Sequence, residues 1–512
     1  MKPFFVRNAP VFYSLVAMLV LYTPWMGRGY VNLEYPFSMA ARALSDSSQS
    51  GLIDSYFAVQ ANPLGYSFVL AVLYKIVGYH DWFWLAKLPS LSGGLMIIIA
   101  GWMLTRERWA NTRSLFYFWS GLVILNPLII AFATASTADV LPVGLLMLAL
   151  AIAMEGRKKT LWRALVASSI FGLAVITKYV PAYFGAAFLV TAIIGENREV
   201  FKSKWAVARE IAVYVLVPGS ILAIYIWWVN TKYGVFISSG FVVGRPNIFD
   251  FQSLSTTFAK YLSFVGLCIG VTSVIVCFER FRFTKSRVFL LTLAISTSFI
   301  NWYALSNRVM GEMNFGGGFP FNNLVRRVIE TFGLLSGVAL CVVLYVQVRG
   351  PNKTHKILIA GLVPYLVLIS ATRPTQRYLI YAIPIVLLLL VDAASSLPKK
   401  VFNLSFGFTL LGFGAVSLLG MSYLRAQGNA AENMAVWMEK NKVINESAAG
   451  ILGVHAGQHF YGLVSKETKY EVVTTSLEGE KAITEKILHR EPMNVLGRIT
   501  RVYVLRELPK AP

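Results

Sequence analysis

The chain has 512 residues, of which 56% are hydrophobic and only 14% are charged, and its mean hydropathy is +0.60. Soluble domains carry about 25% charged residues, so this composition excludes an ordinary soluble protein. The net charge of +22 does not indicate a nucleic-acid partner, because the cations lie mostly in short connectors between apolar runs and not in one cluster. From Arg425 to Pro512 there are 12 Lys and Arg against 10 Asp and Glu, so most of the excess precedes residue 425.

Apolar runs of about 17–25 residues match the thickness of a bilayer core, and they predict an all-α polytopic membrane protein of about 13 transmembrane helices. The first run follows a basic flank, as in a signal peptide, but no small-x-small cleavage site follows it, so we expect a retained helix. The runs lie at residues 10–26, 63–79, 82–104, 115–134, 139–154, 162–178, 180–195, 206–229, 259–278, 288–305, 328–347, 356–371, 378–396 and 402–424.

Cation-rich connectors alternate with poorer ones, which is the pattern of the positive-inside rule. If the rich connectors are cytoplasmic, the 27–62 loop, Asp139 and everything after residue 424 lie on the extracytoplasmic side of the cell (inner) membrane. One conflict remains, because an outward first loop and an inward 105–114 loop require an odd number of crossings between them. Either one of the runs 63–79 and 82–104 is short, reentrant or interfacial, or the 105–114 loop is assigned to the wrong side.

The first loop is acidic in an acid-poor chain, since it carries three of the 25 acidic residues, Glu34, Asp46 and Asp54. The outward connectors also carry arginines near span ends. These guanidinium groups either snorkel to lipid headgroups or bind an anion, most plausibly a phosphate at the membrane surface. They are Arg245, Arg308, Arg326, Arg327, Arg373 and Arg377.

Several stretches, in their order and spacing, resemble motifs of the glycosyltransferase C superfamily, and in particular its protein O-mannosyltransferases and the transferases that add aminoarabinose to lipid A. They are "NLEYPFSMAARAL", "NPLGYSFVLAVLYKIVG" with "AKLPSLSGGL", "LNPLIIAFATASTADVLPVGLLMLAL", and "GLAVITKYVPAYF" with "TRPTQRYLIYAIPIVLLLL". Three positions depart from the family pattern: Leu33 replaces the first acidic residue, Thr137 replaces an arginine, and Asn62-Pro63 replaces Pro-Pro. The resemblance implies an integral-membrane enzyme that transfers a sugar from a polyprenyl-phosphate donor to a lipid, glycan or protein acceptor.

Transfer from a lipid phosphate with inversion requires a base on the face opposite the leaving group. Glu34, a few residues beyond the first span, is the predicted base, and the alternative is a solvated loop glutamate. Asp139 is the predicted second catalytic residue, which would orient the acceptor or substrate. Because an Asp before an apolar run often caps a helix, an N-cap role is the alternative for Asp139.

The predicted substrate-binding residues are mostly cations at outward span ends. Lys178 follows an apolar run, where it either contacts the donor phosphate, as the resemblance implies, or snorkels. Arg373 and Arg377 flank an outward turn and could hold the same phosphate. The full set is Asp54, Arg42, Lys178, Arg373, Arg377 and Tyr378.

No cofactor is assigned, although a divalent metal is left open. His455 and His459 have the i, i+4 spacing of zinc ligands, but the neighbouring glycines argue against a helix there. The three cysteines lie in or at the edges of apolar runs and predict neither a disulfide framework nor a CxxC site. The glycines at 316–318 predict either a flexible connector or a loop that covers substrate.

We divide the chain at residue 424, with a transmembrane glycosyltransferase domain at 1–424 and a small extracytoplasmic α/β domain at 425–512. Two other functions stay open. A transporter or flippase of lipid-linked saccharides is expected to have internal repeats, and none is evident in this sequence. A noncatalytic membrane scaffold would be consistent with Leu33 in an acidic position.

Overall fold

The protein is described by a computed structural model, which covers residues 2–31, 34–46, 48, 53, 56–57, 62–78, 83–110, 112–155, 161–194, 204–235, 251–280, 323–372, 376–443, 448–449, 469–475 and 477–507. Most of these residues lie in α-helices, and a small β-sheet follows them near the C-terminus. The architecture is therefore that of a mostly helical protein with one short β segment, as the sequence predicts.

The helices of the first half are α1 (Lys2–Met26), α2 (Glu34–Ser45), α3 (Gly65–Val77), α4 (Phe83–Thr105), α5 (Arg113–Ile124), α6 (Pro127–Ala133), α7 (Val140–Met154), α8 (Leu161–Thr177), α9 (Gly185–Ile194) and α10 (Lys204–Tyr233). Those of the second half are α11 (Phe251–Ile269), α12 (Thr272–Arg280), α13 (Asn323–Arg349), α14 (Lys353–Thr372), α15 (Ile383–Ala394), α16 (Lys399–Lys440) and α17 (Leu477–Lys481). Two 3₁₀ turns, Val180–Phe184 and Gln376–Tyr381, precede α9 and α15.

The chain is a multi-span membrane protein, since six helices of the described part are long and apolar enough to cross a bilayer. The number rises to eight if each bent helix pair counts as one span; α5 and α6 are bent by 63°, and α11 and α12 by 90°. Five further apolar helices have 10–17 residues. The sequence predicts about 13 spans, whereas the described helices establish six to eight. The predicted run at 288–305 lies outside the described residues.

Helix α3 bears on the topological conflict at residues 63–104. It has only 13 residues, which corresponds to about 20 Å of helix, whereas a bilayer core is about 30 Å thick. Helix α4, with 23 residues, is long enough to span. The alternative in which the 63–79 segment is the short one therefore agrees best with the helix lengths.

Helices α4 and α7 pack with their backbones in contact, at a crossing made of glycines. A Cβ atom added to Gly93 would lie 2.5 Å from the Cα of Leu141, and one added to Gly144 would meet the backbone of Gly93. Only glycine permits so close an approach. The contact holds the N-terminal end of α7, and thus Asp139, against α4.

We expect Gly93→Ala to lower the unfolding free energy by about 1–3 kcal/mol, because the new methyl group would push α4 away from α7. The matched control is Gly412→Ala in α16, where nothing lies within 4 Å of an added Cβ. That change is expected to be neutral or to stabilise the helix by up to about 1 kcal/mol. Thermal unfolding in detergent measures both, and equal midpoints for the two variants would contradict the packing interpretation.

The C-terminal sheet has the strand order β1-β2-β4-β3, with β1 (Ala448–Ala449), β2 (Tyr470–Thr475), β3 (Ile487–Val495) and β4 (Arg498–Glu507). Strand β1 is parallel to β2, and the other pairs are antiparallel. The sheet packs on the end of α16 around a separate apolar core that includes Met434, Met438, Met493 and Leu505. The small α/β segment predicted from the sequence is therefore present.

Helix α16 is continuous for 42 residues, from the last apolar run into the C-terminal segment. The division that we predict at residue 424 thus falls within one helix and not in a linker. Near this point Gly428 contacts Gly29, since a Cβ on Gly428 would lie 2.5 Å from the carbonyl oxygen of Gly29. The helix that carries the sheet therefore also supports the segment between α1 and α2.

Candidate active site

A buried polar turn at residues 134–139 connects α6 with α7, and it organises the site. Helix α6 begins at Asn126, whose side chain accepts a hydrogen bond from the Leu128 amide at 3.1 Å, and Pro127 occupies the first helical position. The turn ends at Asp139, and all six of its residues are at most 6% exposed. Polar groups buried in this way require partners within the protein or in a ligand.

The first ion pair of the site joins Arg28 and Glu34. The Arg28 Nη2 atom donates to Glu34 Oε1 at 2.6 Å, and the two side chains are 0% and 2% exposed. Arg28 also donates to the carbonyl of Thr134 at 3.3 Å and to that of Gly29 at 3.1 Å. Two atoms of the pair, Arg28 Nε and Glu34 Oε2, are buried and have no hydrogen-bond partner in the part of the chain that the structure describes. The pair is thus only partly satisfied.

A second buried cation, Lys87, fixes the backbone before this pair. Its Nζ atom donates to the carbonyl of Met26 at 3.0 Å and to that of Arg28 at 2.5 Å. The ammonium group also lies 5.9 Å from the ring centroid of Tyr30 and 5.7 Å from that of Phe83. Lys87 is fully buried, and its two hydrogen bonds hold the amine beside the Arg28–Glu34 pair.

The second ion pair joins Asp139 and Lys178, both about 97% buried. Lys178 directly follows α8, and its Nζ atom forms a short hydrogen bond with Asp139 Oδ1. Asp139 occupies the N-cap position of α7, yet its side chain makes no capping hydrogen bond. The carboxylate is therefore directed to Lys178, and the N-cap alternative is wrong for its side chain.

Tyr378 and Arg377 complete this half of the site from the 3₁₀ turn before α15. Lys178 Nζ lies 4.5 Å from the ring centroid of Tyr378, and the Arg377 guanidinium lies 5.4 Å from it on the same chain segment. The charge of Arg377 also acts on Asp139. Cations over an aromatic ring are stabilised by its quadrupole, so Tyr378 helps to hold two positive groups near one carboxylate.

The two ion pairs lie on either side of the 134–139 turn. Arg28 binds the carbonyl at its first residue, Thr134, and Lys178 binds the side chain at its last, Asp139. Between them, Ser90 Oγ donates to the Thr137 carbonyl at 3.1 Å, and Tyr66 OH lies 3.1 Å from Ser90 Oγ. Contacts of this one turn thus connect both ion pairs with α4.

The other predicted site residues are not part of these two pairs. Arg42 lies in the last turn of α2 and is half-buried. Asp46 is exposed and accepts a hydrogen bond from the Ser48 amide at 2.9 Å, as expected of a turn. Asp54 and Arg373 lie outside the described residues, as do the predicted features at 316–318, His455 and His459.

Sequence analysis missed Arg28 and Lys87. Arg28 has the appearance of a flanking cation just beyond the first span, and only its burial distinguishes it from a snorkelling residue. For Lys87 a signal was available, because an isolated lysine within an apolar run is costly and marks a functional position more often than a structural one. It stands in the "AKLPS" stretch, where the family pattern has an arginine.

A metal site is not evident among the described residues. No group of three or more His, Cys, Asp or Glu side chains that could hold a metal ion occurs in the described part of the chain. Metal dependence of the chemistry therefore stays open, as the sequence left it.

The fold is that of a polytopic membrane protein in which two carboxylate–cation pairs are buried at the two ends of one turn. No family model and no curated protein matches the sequence significantly. Among solved structures, ArnT from Cupriavidus metallidurans bound to undecaprenyl phosphate is similar over 97% of this chain and 98% of that chain, with a TM-score of 0.53 and 14% identity. The chain therefore has the fold of ArnT, a membrane glycosyltransferase of the C type, over nearly its whole length.

Two further structures are similar with lower scores. The apo state of the same ArnT gives a TM-score of 0.45 at 17% identity and covers 97% of each chain. The Archaeoglobus fulgidus oligosaccharyltransferase AglB, in complex with an inhibitory peptide and a dolichol-phosphate, gives 0.44 at 12% identity, over 85% of this chain and 58% of that one.

Proposed function

We propose that the protein is an integral-membrane glycosyltransferase that takes a sugar from a polyprenyl-phosphate donor and transfers it to a lipid, glycan or protein acceptor. The observation that carries the proposal is the pairing of two buried carboxylates with two buried cations around the 134–139 turn. The ArnT-like fold supports it, because that protein was crystallised with undecaprenyl phosphate. The proposal includes membrane lipids as surroundings and no nucleic acid.

Glu34 is the proposed base. Its Oε2 atom is buried and has no hydrogen-bond partner among the described residues, so it can accept a hydrogen bond from an acceptor hydroxyl. The acceptor oxygen then forms a bond to the anomeric carbon while the bond from that carbon to the phosphate oxygen breaks. The electron pair of the broken bond leaves with the prenyl phosphate, and an attack from the opposite face inverts the anomeric centre.

The cations of the second half of the site are proposed to hold the phosphate. Lys178 and Arg377 lie near the ring of Tyr378, and Lys178 is paired with Asp139, so two basic groups are held close together at this end of the turn. Preorganised cations stabilise a departing phosphate without reorganising during the reaction. Arg373 is close in sequence and is proposed to join them, while Asp139 orients Lys178.

The remaining assignments are proposals of the same kind. The site and the sheet face the extracytoplasmic side of the cell membrane, the 27–62 segment is the first catalytic loop, and residues 1–424 and 425–512 are the two domains. Arg42 and Asp54 are proposed to take part in substrate binding.

The proposal is tested with purified protein in liposomes and a prenyl-phosphate sugar labelled in the sugar. Asp139→Asn is expected to reduce transfer by about 10²-fold, since Lys178 loses its charged partner and its fixed position. Glu155→Gln is the matched control, because Glu155 forms an ion pair with Arg106 outside the two site pairs. Full activity of Asp139→Asn would contradict the assignment, and labelled lipid that crosses the membrane uncleaved would identify a transporter instead.

A further inference from the structure

We infer that binding of the donor phosphate and release of the base are coupled at Arg28. The phosphate of the prenyl donor displaces Glu34 from the Arg28 guanidinium, and only then does Glu34 turn to the acceptor hydroxyl. The inference rests on the proposed function and extends it, because it sets an order of binding in which the lipid phosphate precedes the acceptor.

The first observation is that Arg28 and Glu34 are joined by one hydrogen bond, although their geometry would allow two. Arg28 Nη2 donates to Glu34 Oε1 at 2.6 Å, while Arg28 Nε and Glu34 Oε2 have no partner among the described residues. The Nε and Nη2 atoms lie on one edge of the guanidinium, which matches two oxygens of a phosphate. Glu34 accepts a hydrogen bond from only one of these two atoms, Nη2. Because a buried donor without a partner is costly, a ligand that uses the whole edge is favoured over Glu34.

The second observation is the balance of charge. Two basic side chains, Arg28 and Lys87, lie beside one carboxylate, Glu34, and all three side chains are at most 2% exposed. Lys87 donates hydrogen bonds to the carbonyls of Met26 and Arg28, and it forms no ion pair within the described residues. Two basic groups beside one carboxylate offer more hydrogen-bond donors than the carboxylate uses, and such a cluster favours an anion with several acceptor oxygens. A prenyl phosphate sugar has two non-bridging oxygens, which fit the guanidinium edge.

The third observation concerns what Glu34 can do while it is paired. Protonation of Glu34 in this state would leave Arg28 buried beside Lys87 with no negative charge, which is strongly unfavourable. Once the phosphate has replaced the carboxylate at Arg28, that penalty disappears. Glu34 can then take the acceptor proton. The same pair thus prevents the base from acting before a donor is present.

The coupling predicts an unusual effect of removing the carboxylate. Glu34→Gln is expected to bind farnesyl phosphate at least about tenfold more tightly than the wild type, because Arg28 no longer has a competing anion. Arg28→Gln is expected to bind it at least about tenfold more weakly. Glu155→Gln, which breaks the separate pair with Arg106, should bind it as the wild type does. Titration calorimetry of the full chain in detergent measures all four affinities.

Equal or weaker binding by a folded Glu34→Gln variant would overturn the coupling. If that variant does not fold, Glu34→Asp serves instead, since its shorter side chain loosens the pair and should raise the affinity in the same direction. Inorganic phosphate at the same concentration should not displace farnesyl phosphate, and displacement would overturn the assignment to a lipid phosphate. If the wild type binds farnesyl phosphate and transfers sugar but Glu34→Gln does not bind more tightly, the coupling alone fails. If the wild type does neither, the proposed function fails as well.

Discussion

Replacement of Glu34 by glutamine is expected to lower the rate of sugar transfer by about 10²–10⁴-fold, which is the usual contribution of a positioned general base. The side chain keeps its size, and an amide oxygen can still accept a hydrogen bond from Arg28. The loss should therefore lie in the rate at saturating donor, while binding of the donor should not weaken. Transfer from a prenyl-phosphate sugar, measured over a range of donor concentrations, separates the two effects.

The control for this change is Glu155→Gln, which also removes one carboxylate from an ion pair with arginine but lies outside the site pairs. It is expected to leave the rate unchanged within about twofold. A Glu34→Gln variant that is folded and fully active would remove Glu34 from the chemistry, and the base would have to be sought elsewhere.

The second large effect is expected for Lys178→Met. Removing this ammonium leaves Asp139 as a buried carboxylate without its ion-pair partner, and breaking a buried pair in this way costs about 3–5 kcal/mol. Transfer should fall below detection at the same time, because the residue proposed to hold the phosphate is gone. Thermal unfolding in detergent and the transfer assay report the two consequences separately.

The double variant Lys178→Met, Asp139→Leu distinguishes stability from function. Replacing both charges by apolar groups of similar size should recover most of the lost stability, since no uncompensated charge remains. Transfer should stay absent. A single Lys178→Met variant that is as stable as the wild type would show that Asp139 does not depend on Lys178.

Much of the site could be predicted because the relevant residues are conspicuous in an apolar chain. Glu34, Asp139 and Lys178 lie at the ends of apolar runs, where a charged side chain is costly and often has a function. The structure places each of them in a buried ion pair. The mostly helical multi-span architecture, the small C-terminal sheet and the likeness to the glycosyltransferase C fold also followed from composition and motif order.

The partners of these residues could not be predicted in the same way. Arg28 is only six positions from Glu34, yet a cation beside a span end is equally consistent with snorkelling. Its burial depends on packing between distant segments, namely the contact of Gly29 with Gly428 and the hydrogen bond to Thr134. Sequence periodicity carries no information on such contacts. The continuity of α16 across residue 424 could not be predicted either. The sequence changes there from apolar to mixed charge, which suggests a boundary, but the backbone stays helical.

The most direct measurement is an experimental structure of the wild-type protein with a bound prenyl phosphate. We predict that the phosphate oxygens accept hydrogen bonds from Arg28 and Lys178, on the two sides of the 134–139 turn, and that Glu34 has moved away from Arg28 Nη2. A phosphate bound elsewhere, with the Arg28–Glu34 and Lys178–Asp139 pairs both intact, would contradict the assignment of this turn as the place where the lipid-linked sugar reacts.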